Sequence, residues 1–162
     1  PLAREKGESP TEARRTLWDI AAQYIGVIKD EAGLKKALSA LQDVRNNVLP
    51  RLAVSGSKSR RCNAEWLECL QLLNLAQVLE VSAQSALMRT ESRGGHYRSD
   101  CTDTDNDRWL ANIVARRDNG GVKLSTTPVV VTSLPRPSGT MTYQESIGVA
   151  TASLELKDEE EK

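Results

Sequence analysis

The sequence predicts a mainly α fold: an up-down-up three-helix bundle, like a spectrin repeat, with a small β-hairpin and a loose tail after it. Three observations predict this. Apolar residues recur at spacings of three and four over the first half of the 162 residues. A glycine-containing turn then separates two runs of residues that favour β-strands. The C-terminal residues are rich in Pro, Gly, Ser and acidic residues. We expect a flexible start at residues 1–8, a folded helical region with the hairpin at 9–131, and a loosely ordered tail at 132–162.

The charge balance and the apolar content restrict the classes of partner. The chain has 22 basic and 22 acidic residues, so no general electrostatic attraction to nucleic acid or to an anionic membrane is expected. No apolar run approaches the roughly 20 residues that span a bilayer. The first residues, PLAREKGESP, lack both the apolar stretch of a signal peptide and an initiating Met. We therefore expect a cytoplasmic protein without nucleic-acid contacts or direct membrane insertion, and its amino terminus looks like a cut end.

The first two helices are marked by their starts and by their apolar spacing. Ser9 and Pro10 form a helix start, because Ser offers a side-chain acceptor and the fixed φ of Pro suits the first turn. This helix should end near Tyr24, and Asp30 is placed to cap the second helix. The second helix carries one apolar stripe, at Leu34, Leu38, Leu41, Val44 and Val48.

The third helix carries polar and apolar residues in a different order. From Glu65 to Leu79, each polar residue is followed by two apolar residues. On a helix of about 3.6 residues per turn, this period rotates the polar stripe by about 60° at each repeat, so apolar side chains face every side. The helix needs neighbours all round, and two shorter helices would leave part of it as an interaction surface. The alternative is a central helix that its own bundle covers fully.

Glycine-containing turns organise the second half of the chain. Gly94 and Gly95 are expected to end the third helix, because glycine adopts the left-handed conformation that closes a helix. A hairpin should follow, with one arm from Trp109 to Arg116, a turn at residues 118–121, and a return arm over residues 122–126. A helix that runs to Arg117 is the alternative for the first arm.

Metal sites and disulfides have little support in the sequence. Cys62 and Cys69 would lie about 10.5 Å apart along a helix axis, beyond disulfide reach, and the cysteines lack the close pairs that zinc prefers. Asp103, Asp105 and Asp107 match the alternating ligands of an EF-hand. However, the sixth and twelfth positions, which should be Gly and Glu, are Arg and Val. We expect no metal site, and a turn in which the aspartates accept hydrogen bonds from backbone amides.

The only histidine lies in a basic stretch, TESRGGHYRSD. His96 titrates in the range of a general base, but the sequence offers no nucleophile or glycine-rich phosphate loop to accompany it. Arg89, Arg93, His96 and Arg98 could together bind a carboxylate. They could also pair with the nearby acidic residues Glu91, Asp100 and Asp103, and we favour this structural pairing.

Three segments, LWDIAAQYIGVIKDEAGLKKAL, NLAQVLEVSAQSALMRTESRGGHYRSD and TDNDRWLANIVARRDNGGVKLSTTPVV, carry a resemblance that covers residues 17–131. In this order they resemble the C-terminal helical region of the succinate dehydrogenase and fumarate reductase flavoprotein subunit. The most specific motif is ESRG-x-H-x-R, at residues 91–98. Lys29 stands where Arg is usual, Gly95 where Ala is common, and Asn106 in place of an Asp. L-aspartate oxidase is the nearest relative by the same motif, because it shares the Tyr at position 97.

The resemblance implies a parent enzyme that interconverts succinate and fumarate by hydride transfer through FAD. In that family, upstream domains hold FAD and the substrate, and the motifs of those domains are missing from this sequence. The resemblance therefore implies no catalytic, cofactor-binding or metal-binding residue in this chain. The implied role is a helical domain that packs on the FAD-binding domain and helps to dock the iron-sulfur subunit. Arg89, Arg93, His96 and Arg98 are its expected domain-interface residues. Peripheral association with the inner face of the membrane through partner subunits remains open, as does an autonomous helical interaction module.

Overall fold

The chain folds into two compact units. The computed structural model describes residues 1–119, 121–133 and 135–148. The first unit comprises Pro1–Gly26 and Glu31–Leu87, and the second comprises Val27–Asp30 and Met88–Lys162.

Three helices build the first unit. Helix α1 (Pro10–Ile20) continues as a π-helical turn at Ala21–Ile25. Helix α2 (Glu31–Asp43) continues as a second π-helical turn at Val44–Val48 and a 3₁₀ turn at Leu49–Arg51. Helix α3 (Ala64–Met88) is 25 residues long. The predicted start of α1 is confirmed, with Pro10 in the first turn after Ser9, although the Ser9 side chain makes no capping hydrogen bond.

The apolar faces of the three helices share one core. The predicted stripe of α2 supplies three buried side chains, at Leu34, Leu41 and Val44, while Leu38 and Val48 are half-buried. The main cluster of buried side chains takes members from each helix: Ala13 and Leu17 from α1, Ala37 and Leu41 from α2, and Cys69, Leu72 and Ala76 from α3. Burial of a Leu side chain stabilises a fold by about 2 kcal/mol, so this shared cluster is the main source of the unit's stability.

Residues 1–8 run beside residues 51–54. The Glu8 amide donates to Arg51 O at 2.9 Å, and the Ala53 amide donates to Glu8 O at 3.1 Å. The backbones approach so closely at Gly7 that a Cβ there would lie 2.2 Å from Arg51 O. These hydrogen bonds hold residues 1–8 beside residues 51–54, whereas the sequence had indicated a flexible start.

In the described part of the second unit, three pairs of strands are joined by short helical segments. Strand β1 (Ile28–Lys29) pairs in parallel with β2 (Tyr97–Arg98), and β3 (Asp103–Asp105) pairs antiparallel with β6 (Thr140–Thr142). Helix α4 (Asn106–Trp109) follows β3, and residues 143–148 are helical. Strands β4 (Ala111–Asp118) and β5 (Gly121–Pro128) form an antiparallel hairpin.

The hairpin confirms the predicted strands and excludes the helical alternative for the first arm. Asp118 is registered against Gly121, and Asn119 has a φ of 45°. Asn tolerates this left-handed conformation, which two-residue hairpin turns require. The remaining turn residue, at position 120, lies outside the described residues.

The predicted end of α3 is wrong. The helix ends at Met88 rather than at the glycine pair. Glu91 and Ser92 are fully buried and bonded to later parts of the chain, so the backbone leaves the helix before it reaches them. The two glycines, Gly94 and Gly95, instead form the tip of a tight turn between Arg93 and His96.

The mainly α fold with a small β-hairpin is confirmed. Part of the predicted loose tail, at Thr140–Thr142, pairs with β3, while position 134 and residues 149–162 of that tail lie outside the described residues. The predicted domain bounds stay a prediction. Among the described residues, no helix has the length and apolar character that crossing a bilayer requires.

Candidate functional site

The four predicted interface residues follow α3 in a segment shaped by one tight turn. The Arg93 amide donates to His96 O at 2.8 Å, and the His96 amide donates to Arg93 O at 2.9 Å. Gly94 has a φ of +54°, a conformation that glycine adopts without strain. The Tyr143 hydroxyl donates to Gly94 O at 2.6 Å. The turn therefore holds Arg93 and His96 side by side.

Glu91 is the buried centre of an ion-pair network. Its carboxylate is fully buried and accepts from Arg89 Nη1, from Arg93 Nε and Nη2, and from the Asp105 amide at 2.8 Å. Arg89 also donates to Trp109 O at 3.0 Å and to Ala111 O at 2.6 Å. Its guanidinium carbon lies 5.1 Å from the centroid of the Trp109 ring. Arg89 is thus an internal structural group that ties β4 and α4 to Glu91.

Arg98 is also an internal group. Its side chain is 1% exposed and forms a two-bond pair with Asp100, in which Nε donates to Oδ1 at 2.8 Å. Its Nη1 donates to Arg89 O at 3.2 Å. The Arg98 amide donates to the hydroxyl of buried Ser92 at 2.8 Å, and that hydroxyl donates to Cys101 O at 2.7 Å. Ser92 and Arg98 therefore fix the path of the backbone around the turn.

His96 is held as a neutral imidazole. Its pKa is lowered to about 4, first by burial, then by the charges of Lys29 and Arg89, and less by Arg98; a hydrogen bond with the Arg89 backbone opposes the change. The Nε2 atom is enclosed and has no hydrogen-bond partner among the residues that the structure describes. A general base that serves at neutral pH needs a pKa near 7, so this imidazole is poorly suited to proton transfer there.

Lys29 belongs to the same cluster and was missed as a site residue. It is registered against Arg98 in the β1–β2 pair, and its carbonyl accepts from the Ser99 amide at 3.0 Å. The side chain is buried, and its Nζ donates to Val27 O at 3.0 Å. Burial and, secondly, the Arg98 charge lower its pKa. The signal that could have pointed to it was its position, because the resemblance leads us to expect Arg there.

The structure brings the four predicted residues together and shows the structural pairing that the sequence favoured. Arg89 and Arg93 share Glu91, and Arg98 pairs with Asp100. Asp103 takes no part in an ion pair within the described residues. Arg93 and His96 remain partly exposed, whereas Arg89 and Arg98 are occupied internally.

The aspartates near β3 serve as helix and turn acceptors. Asp105 Oδ1 accepts from the amides of Asp107 and Arg108, at 3.1 and 3.0 Å, and so caps α4. Asp107 Oδ1 accepts from the Gly139 amide at 2.8 Å. In the part of the chain that the structure describes, no group of three His, Cys, Asp or Glu side chains converges as metal ligands. The hydrogen bonds that Asp105 and Asp107 accept confirm the predicted turn, in which aspartates bond backbone amides.

The step from strand β3 to helix α4 in the second unit does not fit a dinucleotide. A flavin diphosphate is typically held by glycine amides where a strand meets a helix N-terminus. At the step from β3 to α4 the chain carries Asp105 and Asp107. These carboxylates would repel a diphosphate. The residues present therefore do not fit FAD at this step.

Comparisons with known proteins give a consistent family match. A family model described as fumarate reductase flavoprotein C-term matches residues 14–145. The succinate dehydrogenase flavoprotein subunit of Coxiella burnetii is 36% identical over 111 residues, which is 68% of this chain and 19% of that protein. The L-aspartate oxidase of Streptomyces coelicolor is 32% identical over 107 residues, 66% of this chain and 18% of that protein. The chain thus spans about a fifth of the length of these relatives.

A solved structure supports the same match at the level of the fold. The structure of a quinol-fumarate reductase with menaquinol molecules is 26% identical, with a TM-score of 0.73. The similarity covers 82% of this chain and 23% of that chain. Most of the relative therefore lies outside the region that this chain matches.

Proposed function

The chain belongs to the fumarate reductase flavoprotein C-terminal family, whose parent proteins are FAD-dependent flavoproteins, and on this premise we propose that its role is mechanical. It packs on the FAD-binding domain of a succinate dehydrogenase or fumarate reductase and helps to dock the iron-sulfur subunit. It has no catalytic activity of its own, and the parent enzyme interconverts succinate and fumarate. A cytoplasmic location, peripheral to the membrane through partner subunits, follows from the same proposal.

One observation carries the proposal: α3 exposes a face of large apolar side chains. Leu67, Leu70 and Leu73 are spaced by three residues on this face and are 51%, 39% and 48% exposed. Val78, further along the helix, is 60% exposed. We call these four residues the α3 face. Apolar side chains clustered in this way on a soluble domain mark an interaction surface.

The α3 face is also depleted of charge. The polar residues interspersed along it are the uncharged amides of Gln71, Asn74 and Gln77. The nearest carboxylates are neutralised, since Glu68 pairs with Arg14 at 2.8 Å and Glu80 pairs with Arg45 at 2.9 Å. Depletion of charge is the compositional mark of the buried centre of an interface.

The opposite side of the same helix is a normal core. Cys69, Leu72 and Ala76 are buried against α1 and α2. The side chains on the α3 face lie between these positions in sequence, as expected from a polar stripe that winds around the helix. Within the described residues, the two companion helices therefore cover one side only, which supports a body outside the chain as the cover of the other side.

The flavin-binding part of the same polypeptide is the proposed body. The region that this chain matches is only about a fifth of each relative's length, so most of the parent protein would be available to cover the α3 face. The fully buried centre of an obligate interface is mainly apolar, which suits two parts of one polypeptide. An iron-sulfur subunit would then contact the assembled parts.

The four predicted residues are proposed to act at a second contact with that body. Arg93 and His96, at the partly exposed turn, would touch it directly. Arg89 and Arg98 would act through their internal bonds, because they hold the turn and Glu91 in place.

Hydrogen exchange tests the proposed packing. Exchange is measured on the isolated chain and on the parent polypeptide that contains it, and peptides of α3 are compared. We expect the parent to protect the helix strongly, and Leu67→Ser with Leu70→Ser to reduce that protection. The control is Val130→Ser, because Val130 is also an exposed apolar residue. Equal exchange of α3 in the two proteins would contradict the packing and favour an autonomous interaction module.

The alternative parent enzyme is L-aspartate oxidase. Two observations favour it: the 32% identity to the Streptomyces protein, and Tyr97, which fits that family's motif. The parent polypeptide separates the two by its substrate. Reduction of its flavin by succinate supports the proposed parent, and reduction by L-aspartate alone supports the alternative.

A further inference from the structure

Lys29 and His96 are neighbouring polar side chains whose hydrogen-bonding capacity is only partly used within the described residues. Lys29 is 9% exposed, and its Nζ has the Val27 carbonyl as its hydrogen-bond acceptor. An ammonium group has three donors. His96 Nε2 is enclosed and has no partner. Buried polar atoms are rarely left without partners, so the enclosed Nε2 atom needs an explanation.

The strand geometry places these groups on the same side of the β1–β2 pair. His96 directly precedes β2 and bridges to Arg93, and side chains alternate along extended backbone, so those of His96 and Arg98 point to the same side. Lys29 is registered directly against Arg98 in the parallel pair. The charges of Lys29 and Arg98 both act on the His96 imidazole. The three side chains therefore form one compact basic group.

This basic group contains a positive charge without a counter-ion. The carboxylates of Glu91 and Asp100 are engaged by Arg89, Arg93 and Arg98. Within the described residues, Lys29 forms no ion pair. A buried cation is costly unless it is paired with an anion. A negatively charged group from outside the described residues would supply the missing counter-ion.

Two exposed apolar residues adjoin this charge. Val27 and Ile28 directly precede Lys29 and are 71% and 70% exposed. A free ion such as chloride would leave them uncovered, whereas a protein segment that bears a carboxylate and an aliphatic side chain would cover them. The combination favours a polypeptide over a small anion.

We propose that Val27, Ile28 and Lys29, with His96 beside them, form a docking site for an acidic side chain from the flavin-binding part of the same polypeptide. The carboxylate accepts a hydrogen bond from Lys29 Nζ, and the aliphatic part of the same segment covers Val27 and Ile28. The carboxylate also favours a protonated His96 imidazole, whose Nε2–H then has an acceptor. This inference rests on the proposed function, because it names a contact that the packing would include.

The test compares hydrogen exchange in the isolated chain and in the parent polypeptide, over peptides that cover residues 26–30 and 93–99. Both peptides should exchange more slowly in the parent. Lys29→Met should remove most of this protection, by on the order of tenfold, because the inserted carboxylate loses its partner. Lys123→Met is the matched control, since Lys123 is an exposed lysine of the same unit.

A second variant and its control test the docking site even if Lys29→Met does not fold. Val27→Ser with Ile28→Ser alters exposed residues only, so the unit should fold, and it should also reduce the protection. Val130→Ser is its control. A third arm adds succinate to the isolated chain, which asks whether a free small carboxylate occupies the site.

The outcomes separate this inference from the proposed function. Protection of both peptides in the parent that is lost in Lys29→Met and retained in Lys123→Met supports the docking site. If α3 is protected in the parent but residues 26–30 are not, or if Lys29→Met is protected like its control, the docking site is overturned while the packing stands. Full protection of residues 26–30 by succinate alone overturns the choice of a protein segment as the occupant.

Discussion

Glu91 and Arg93 form a two-bond pair in which Arg93 Nε lies 2.9 Å from Oε1 and Nη2 lies 3.0 Å from Oε2. The pair has one fully buried partner and one partner that reaches the surface. Two parallel bonds fix the plane of the guanidinium as well as its distance. The exposed turn is thereby held by a carboxylate in the interior of the second unit.

We predict that Glu91→Ala strongly destabilises the chain. The substitution leaves two arginines and the Asp105 amide without their acceptor, and breaking a buried pair costs about 3 kcal/mol or more. Urea unfolding at neutral pH measures the change. Glu31→Gln is the control, because that carboxylate is exposed. Equal midpoints for the two variants would show that Glu91 contributes little.

His96 should titrate well below the usual range for histidine. Its ring protons, read by NMR in a chain with one histidine, should shift with a midpoint near pH 4, since burial and three cations disfavour the imidazolium. A midpoint near pH 6.5 would contradict the enclosed position of the ring. This measurement uses the isolated chain.

The same low pKa predicts a loss of stability in acid. Between about pH 6.5 and 4 the unfolded chain binds a proton at this position and the folded chain does not, so stability rises with pH across that window and falls as the pH is lowered. His96→Gln should remove this part of the pH dependence. The difference between the two proteins in urea unfolding at pH 7 and at pH 5 measures it. Parallel pH profiles would refute the assignment.

Two adjacent leucines of α3 should respond differently to truncation. Leu72 is fully buried in the core, whereas Leu73 lies on the α3 face. We expect Leu72→Ala to lower the free energy of unfolding of the isolated chain by about 2–5 kcal/mol, because it leaves a cavity. Leu73→Ala should have little effect in the same measurement. Similar losses for both would mean that the α3 face is covered within the chain.

Gly7 should not tolerate a side chain. A Cβ at this position would lie 2.2 Å from Arg51 O, a backbone atom that cannot move aside without breaking the bonds to Glu8. Gly7→Ala should therefore lower the thermal midpoint. Gly95→Ala is the control, because a Cβ there meets no atom within 4 Å. Unchanged midpoints for both variants would argue against the close packing of residues 1–8.

The sequence predicted the elements that depend on local patterns. The stripe at Leu34, Leu41 and Val44 marks a helix because its spacing alone places these side chains on one face. The hairpin turn was predictable because Asn and Gly favour the left-handed conformation that a two-residue turn demands.

Features that depend on distant partners were not predictable. Strand β1 has two residues and pairs with β2, nearly seventy positions later, and so short a strand has no periodicity to read. The end of α3 at Met88 is set by the burial of Glu91 and Ser92, which nothing in the local sequence requires. From the sequence, Lys29 is a simple replacement of Arg. Only its register against Arg98 shows that it lies beside the turn between Arg93 and His96.

The burial of Trp109 beneath Arg89 gives the second unit its own optical reporter. The other two indoles, at positions 18 and 66, belong to the first unit. The fluorescence of single-tryptophan variants can therefore follow the unfolding of the first unit and of the second unit separately. It would reveal whether they unfold together or in sequence.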